Sequence, residues 1–256
     1  MQLPPITVDS PVELKPLARS IYSPRLRKGY ATYRLFHGEE PPTLSVKDQV
    51  AVAIAERVVE GRLAPGDRIS EQSIADDLKT SKAPVSEALM LLEYTGLVES
   101  AARRSAYVTG VGTADFEELM ECREALAGVF FPHFAHRYAA ADRRVLHDYL
   151  EHMEELVSDD ARIFDFIEVA DRSILYIAAQ AGNRRISRAM SPLSLQLLRY
   201  YPFGIRTPMQ RRQVLGWWSE AIRALDARDE RRFLALVKSS RDTLVAAILD
   251  ALRAAA

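Results

Sequence analysis

Lys82 and Ser86 stand four residues apart, with Ser81 just before them and Ala83 between. On a helix that begins at Ser81 they share one face of its leading turns. A capping hydroxyl, an ammonium group and first-turn N–H groups suit phosphate oxygens and the base edges of a DNA major groove. Gln72 lies ten residues earlier and suits a phosphate or a base. Arg103 and Arg104 are adjacent in AARR and suit the DNA backbone or minor groove. The five histidines are His37, His133, His136, His147 and His152. A three-residue spacing puts His133 and His136 on one side of a helix. No carboxylate pattern beside them completes a metal set, so they read as surface histidines on a polar face. There is no phosphate-binding glycine loop, no GxSxG elbow and no HExxH, so the chain is not expected to be an enzyme.

The first group needs short helices and a hairpin to present it. LSVKDQVAVAIAERVVEGRL repeats Val46, Val50, Ile54 and Val58 at helical spacing. LAPGDRI then turns tightly at Pro-Gly. Ser70 is placed to cap EQSIADDL, whose Ile74 and Leu78 lie four apart. After KTS, Ser81 caps a second helix, KAPVSEALMLLEYTG. Pro84 is tolerated there because a first-turn N–H has no intrahelical partner. Val85, Leu89 and Leu92 supply the inward face and Gly96 ends the helix. LVES and SAYVT, joined by AARR, read as a two-stranded wing. Residues 44–111 therefore have the layout of a winged helix-turn-helix.

On either side the pattern changes. Residues 1–43 carry seven prolines and a basic, tyrosine-bearing stretch, ARSIYSPRLRKGYATYRLF. They form an N-terminal extension, read as a mobile tail or an arm on a partner subunit, with phosphate contact as the alternative. Residues 112–256 show apolar residues at three- and four-residue spacing, as in Phe116, Leu119, Cys122 and Leu126, and are expected to form an all-helical bundle. The fold class is mainly α.

The chain has 256 residues, of which 48% are hydrophobic and 27% charged, so wholesale disorder is excluded. Basic and acidic groups number 34 and 35, for a net charge of −1, which excludes a chain-wide basic field and confines nucleic-acid contact to a local patch. Residues 44–111 carry eight basic and ten acidic groups, which weighs against DNA binding. The single Cys122 excludes an intrachain disulfide and a multi-cysteine zinc site. No run of about 18 apolar residues exists and the start lacks a signal layout, so no membrane contact and a cytoplasmic location are expected.

EGRLAPGDRISEQSIADDLKTSKAPVSEALMLLEYTGLV resembles the DNA-binding domain of GntR-family transcription regulators. The resemblance rests on the Pro-Gly-Asp turn, the Ile-Ala-x-x-Leu helix, the Pro-Val-x-Glu-Ala-Leu recognition helix and the Gly-Leu-Val exit. The family usually has arginines where this chain has Lys82 and Ser86, and a wing glycine where it has Ser105. Neither lysine nor serine matches the arginine fork on guanine, so the operator preference is expected to be weak or unusual.

The region after 112 is similar to the all-helical FCD domain of the FadR-like branch, through ELMECREALAG, VADRSILYIAAQAGN and AIRALDARDERRFLALVKSS. That branch holds a small carboxylate-bearing metabolite, in many members with a divalent metal on one aspartate and three histidines. The resemblance places Asp171 at the aspartate position and Leu175, Trp218 and Ser240 at the histidine positions. All five histidines precede Asp171, so neither that four-ligand metal site nor a cofactor is expected. Arg123 matches an arginine that points into the effector cavity, where it would pair with a ligand carboxylate or with Asp171; the alternative is an ion pair with Glu118 or Glu121. Tyr176 joins Leu175 and Trp218 in a more apolar pocket, with core filling as the alternative for Trp217 and Trp218. Arg123→Ala is expected to blunt the ligand response without unfolding.

These features imply a ligand-responsive, DNA-binding transcription regulator, a repressor, acting as a homodimer on double-stranded operator DNA. Its effector is expected to be a small organic molecule, a carboxylate by resemblance. The rival reading is a non-catalytic protein-interaction scaffold with a degenerate DNA-binding domain.

Overall fold

The computed structural model describes residues 45–101 and 105–255. The N-terminal extension, residues 1–43, and the wing-tip pair Arg103 and Arg104 lie outside the described residues. The chain divides into two units. One takes the described residues up to Val111 together with Ser191–Arg199. The other takes Gly112–Met190 and the residues from Tyr200 onward.

In the first unit, α1 (Val46–Val59) opens on a capping box. The Asp48 N–H donates to Ser45 Oγ over 3.4 Å, and the Ser45 N–H donates back to the Asp48 carboxylate over 3.2 Å. Val50, Ile54 and Val58 are buried, but Val46 is 48% exposed, so the inward stripe starts one turn later than its spacing suggests. Then come β1 (Arg68–Ile69), α2 (Glu71–Asp77) and α3 (Lys82–Tyr94). Ser70 Oγ accepts the Ser73 N–H at 3.3 Å and starts α2. Val85, Ala88, Leu89 and Leu92 bury one face of α3, which packs on α1.

The helix ends in a Schellman motif. Leu97 N–H donates to Leu92 O and Gly96 N–H to Glu93 O, with Gly96 at φ +75°. The wing strands are β2 (Val98–Ala101) and β3 (Ser105–Val108). The wing is three-stranded rather than two. Arg68 and Ile69, read from sequence as part of a turn, pair antiparallel with Tyr107 and Ala106, giving the order β1-β3-β2. Two residues are too few for period-two alternation to signal a strand; β3 supplies the partner that makes one. Arg199 Nη1 donates to Thr109 O at 2.9 Å within this unit.

The second unit is helical: α4 (Thr113–Arg137), α5 (Ala140–Leu156), a 3-10 turn (Asp160–Arg162), α6 (Ile163–Gln180), α7 (Arg184–Leu197), α8 (Tyr201–Gly204), α9 (Pro208–Asp226) and α10 (Glu230–Ala255). The second half of α7 belongs to the first unit. The buried stripe of α4 runs Phe116, Leu119, Met120, Arg123, Ala127 and Phe130. Cys122 is exposed and Leu126 half-buried, so the expected stripe through them is corrected. The slip of one position from Cys122 turns a guanidinium, not a thiol, inward.

Arg211, fully buried, ties the start of α9 to its neighbours. Its Nε donates to Val157 O at 2.9 Å and its Nη1 to Arg206 O at 2.9 Å, and it pairs with Asp160. Gly204 lets α8 lie against α10: a Cβ there would sit 2.8 Å from the Leu244 and Ile248 side chains. Among the described residues no helix is long and apolar enough to cross a membrane.

Candidate functional site

The leading turn of α3 faces outward. Ser81, Lys82 and Ala83 are exposed and Ser86 is half-buried, while the opposite face closes the core. Ser81 holds the N-cap position with extended backbone, at φ −86° and ψ 169°. Unlike Ser45, Ser81 makes no side-chain cap bond, which corrects the expectation that its hydroxyl caps the helix. No acidic residue stands in the first turn. The end of the helix dipole that favours anions is therefore presented with a lysine beside it. Gln72 is exposed on α2 and donates to Asp76 Oδ1 at 2.6 Å, a bond to be exchanged for any contact with DNA.

Two residues of this face were missed from sequence. Met90 is 62% exposed and Tyr94 is 84% exposed, one and two turns beyond Ser86. Their offset from Val85, Leu89 and Leu92 was the available signal.

In the second unit a cavity of about 600 Å³ lies among α4, α6, α8, α9 and α10. Its wall is mostly apolar, with Phe116, Phe130, Ile174, Trp217, Trp218 and Leu244 among the lining residues. One polar cluster sits inside it. Arg123 Nη2 donates to Asp171 Oδ1 at 3.0 Å, with both side chains buried, and the Arg123 guanidinium carbon lies 5.9 Å from the centre of the Tyr201 ring. Burial works against the Arg123 charge, but Tyr201 and Asp171 outweigh it and hold the guanidinium above its usual range. Burial also pushes the Tyr201 phenol well above its ordinary value, with Arg123 opposing the rise, so Tyr201 stays a neutral donor. At a second place on the wall Arg241 Nε meets Glu124 Oε1 at 2.9 Å.

Arg123, Asp171, Trp218 and Ser240 all line this cavity. The alternative pairing of Arg123 with Glu118 or Glu121 is not formed; both glutamates are exposed. Leu175 and Tyr176 do not line it, and their expected place there is corrected. Tyr176 packs against Phe134 and Tyr149 and donates its hydroxyl to Asp142 Oδ1 at 2.7 Å. On α6 the cavity takes Ile167, Ala170, Asp171 and Ile174, and one further residue turns the chain about 100° away. Tyr201, Trp217, Glu124 and Arg241 were not singled out for this wall from sequence, because the elements that carry them meet only in three dimensions.

The positions that the FCD resemblance assigns to a metal do not fit one. Asp171 is already paired with a guanidinium, Ser240 Oγ donates to Val237 O at 3.0 Å, and Leu175 and Trp218 offer hydrocarbon. Among the described residues no three His, Cys, Asp or Glu side chains converge. His133 and His136 are exposed on α4, and His136 Nδ1 lies 3.7 Å from Glu230.

Comparison with known proteins agrees with this architecture. The family described as bacterial regulatory proteins, gntR family, matches residues 46–108, and the FCD domain matches residues 118–243. The chain is similar to a Paenarthrobacter nicotinovorans protein named "Probable D-xylose utilization operon transcriptional repressor", at 30% identity over 59% of this chain and 62% of that protein. It thus spans less than two thirds of that relative. A second relative, the "Uncharacterized HTH-type transcriptional regulator BphR" of Paraburkholderia xenovorans, is 28% identical over 75% of this chain and 80% of its own length. The solved structure of E. coli McbR/YncC shares the fold with a TM-score of 0.70 at 20% identity, over 81% of this chain and 98% of that one. With these two matches on consecutive stretches, the chain belongs to the gntR family of bacterial regulatory proteins, in the group that carries an FCD domain.

Proposed function

We propose that this protein is a non-catalytic, ligand-responsive transcription regulator, a repressor, that works in the cytoplasm as a homodimer on double-stranded operator DNA. Residues 44–111 form the DNA-binding domain, residues 112–256 the effector-binding and dimerising domain, and residues 1–43 an extension. The observation that carries this reading is the exposed leading turn of α3, Ser81 to Ala83, on a helix whose other face is core. That turn enters the major groove, Lys82 contacts base or phosphate, and Gln72, Ser86, Arg103 and Arg104 contact the duplex around it. Two such helices reach half-sites about one helical turn apart. A small organic effector enters the cavity beside Arg123, Asp171, Trp218 and Ser240 without metal. It biases the DNA-binding modules through its different affinity for their two arrangements.

The test is an electrophoretic shift with DNA upstream of the gene, repeated across salt. Binding that weakens steeply with salt supports the reading, because phosphate contacts release counterions. No binding to any genomic fragment at low salt overturns it. Exposed Met90 and Tyr94 on the same helix favour the second reading, a protein-interaction scaffold, which that outcome would select.

A further inference from the structure

The charged groups on the cavity wall are already balanced. Arg123 faces Asp171 at 3.0 Å, and Arg241 faces Glu124 at 2.9 Å. Lys238, the other charged residue lining the cavity, is exposed to solvent, where its charge is screened. The Ser240 hydroxyl is bonded to a backbone carbonyl. The remaining wall is hydrocarbon and aromatic, with two adjacent indoles, Trp217 and Trp218, on α9.

We infer that this cavity takes a neutral, largely apolar ligand of aromatic character, and that the Arg123–Asp171 pair disfavours carboxylates. This rests on the proposed role of the cavity as the effector site. The reason is charge balance. A ligand carboxylate needs the Arg123 guanidinium, but Asp171 already neutralises it. Sharing the guanidinium brings two anions together, and taking it leaves Asp171 buried opposite a second negative charge. A neutral ligand leaves the pair intact, stacks on Trp217 and Trp218, and needs one polar tip to meet Arg123 or the Tyr201 hydroxyl. The volume, about 600 Å³, is that of a site for a molecule of two or more rings. In this chain a guanidinium supplies the positive partner that Asp171 requires, and it arrives with its charge already spent.

Two probes with one skeleton separate the possibilities: biphenyl-4-methanol and biphenyl-4-carboxylate at pH 7. Trp217 and Trp218 are the two tryptophans of the chain, so their fluorescence reports occupancy directly. The alcohol is expected to change that emission saturably and to bind at least tenfold more tightly than the carboxylate. Asp171→Asn removes the balancing anion at nearly constant shape and is expected to shift the preference toward the carboxylate at least tenfold. Circular dichroism checks that the variant is folded, and the wild-type comparison decides alone if it is not.

Carboxylate binding equal to or tighter than the alcohol in the wild type overturns the ligand class while leaving the cavity as a binding site. An unchanged preference in folded Asp171→Asn overturns the role of the pair. Saturable binding of neither probe overturns the inference and the effector role of the cavity together, while the shift assay judges DNA binding separately.

Discussion

Arg123 on α4 and Asp171 on α6, 48 residues apart in sequence, form a buried ion pair across the wall of the helical cavity. A guanidinium thereby fills the electrostatic role beside Asp171 that the FCD resemblance would give to a metal. The pair also changes what mutation of Arg123 should do.

Arg123→Ala is expected to destabilise the fold by about 3–5 kcal/mol, because it leaves Asp171 buried without its cation. Sequence reasoning expected loss of ligand response without unfolding; the buried pair predicts both effects. Replacing the two together, Arg123→Met with Asp171→Leu, should cost far less than the sum of the single changes. Urea denaturation of the double variant and of each single variant checks this, and additive losses would show that the two groups do not depend on each other.

Lys82→Ala should weaken operator binding and lower the slope of log affinity against log salt by about 1, since one phosphate contact is lost. Fluorescence anisotropy at several salt concentrations measures it. A loss confined to particular operator sequences would assign Lys82 to base reading instead. Unchanged affinity would count against the placement of α3 in the groove.

Gly96→Ala should destabilise the first unit by about 1–2 kcal/mol, because Gly96 adopts φ +75°, a conformation costly for a residue with a Cβ. A Cβ would also press on the Gln196 side chain at 2.8 Å. Thermal melting checks it, and a variant as stable as the parent would refute the helix-end geometry.

The Tyr201 phenol holds its proton more tightly folded than unfolded, since burial raises it above the ordinary value of 10.0. For an acid raised in this way, the associated stability is complete below pH 10 and is lost as pH climbs above it. The loss from this group should reach at most about 1.4 kcal/mol per pH unit. Tyr201→Phe should flatten that alkaline limb, which denaturation at pH 9 and above would measure. An equally steep limb in the variant would remove Tyr201 as its source.

Sequence alone determined the helices and the order in which they occur, because helix formation is read from local spacing and local caps. Ser70, Val85, Leu89, Leu92 and Gly96 each carried their meaning within a few residues of themselves. It also determined that no imidazole is available after Asp171. What tertiary structure decided was everything that depends on which way a helix is turned and on what meets it. Residues 68–69 became a strand only because β3 lies beside them. Ile174 rather than Leu175 reaches the cavity because one residue rotates a helix by about 100°. Arg123 found Asp171, and Tyr201 and Arg241 joined the same wall, through the packing of helices distant in the chain. Spacing within one helix carries no record of the rotation or the neighbour that packing selects, and it is those two variables that set the chemistry of the cavity.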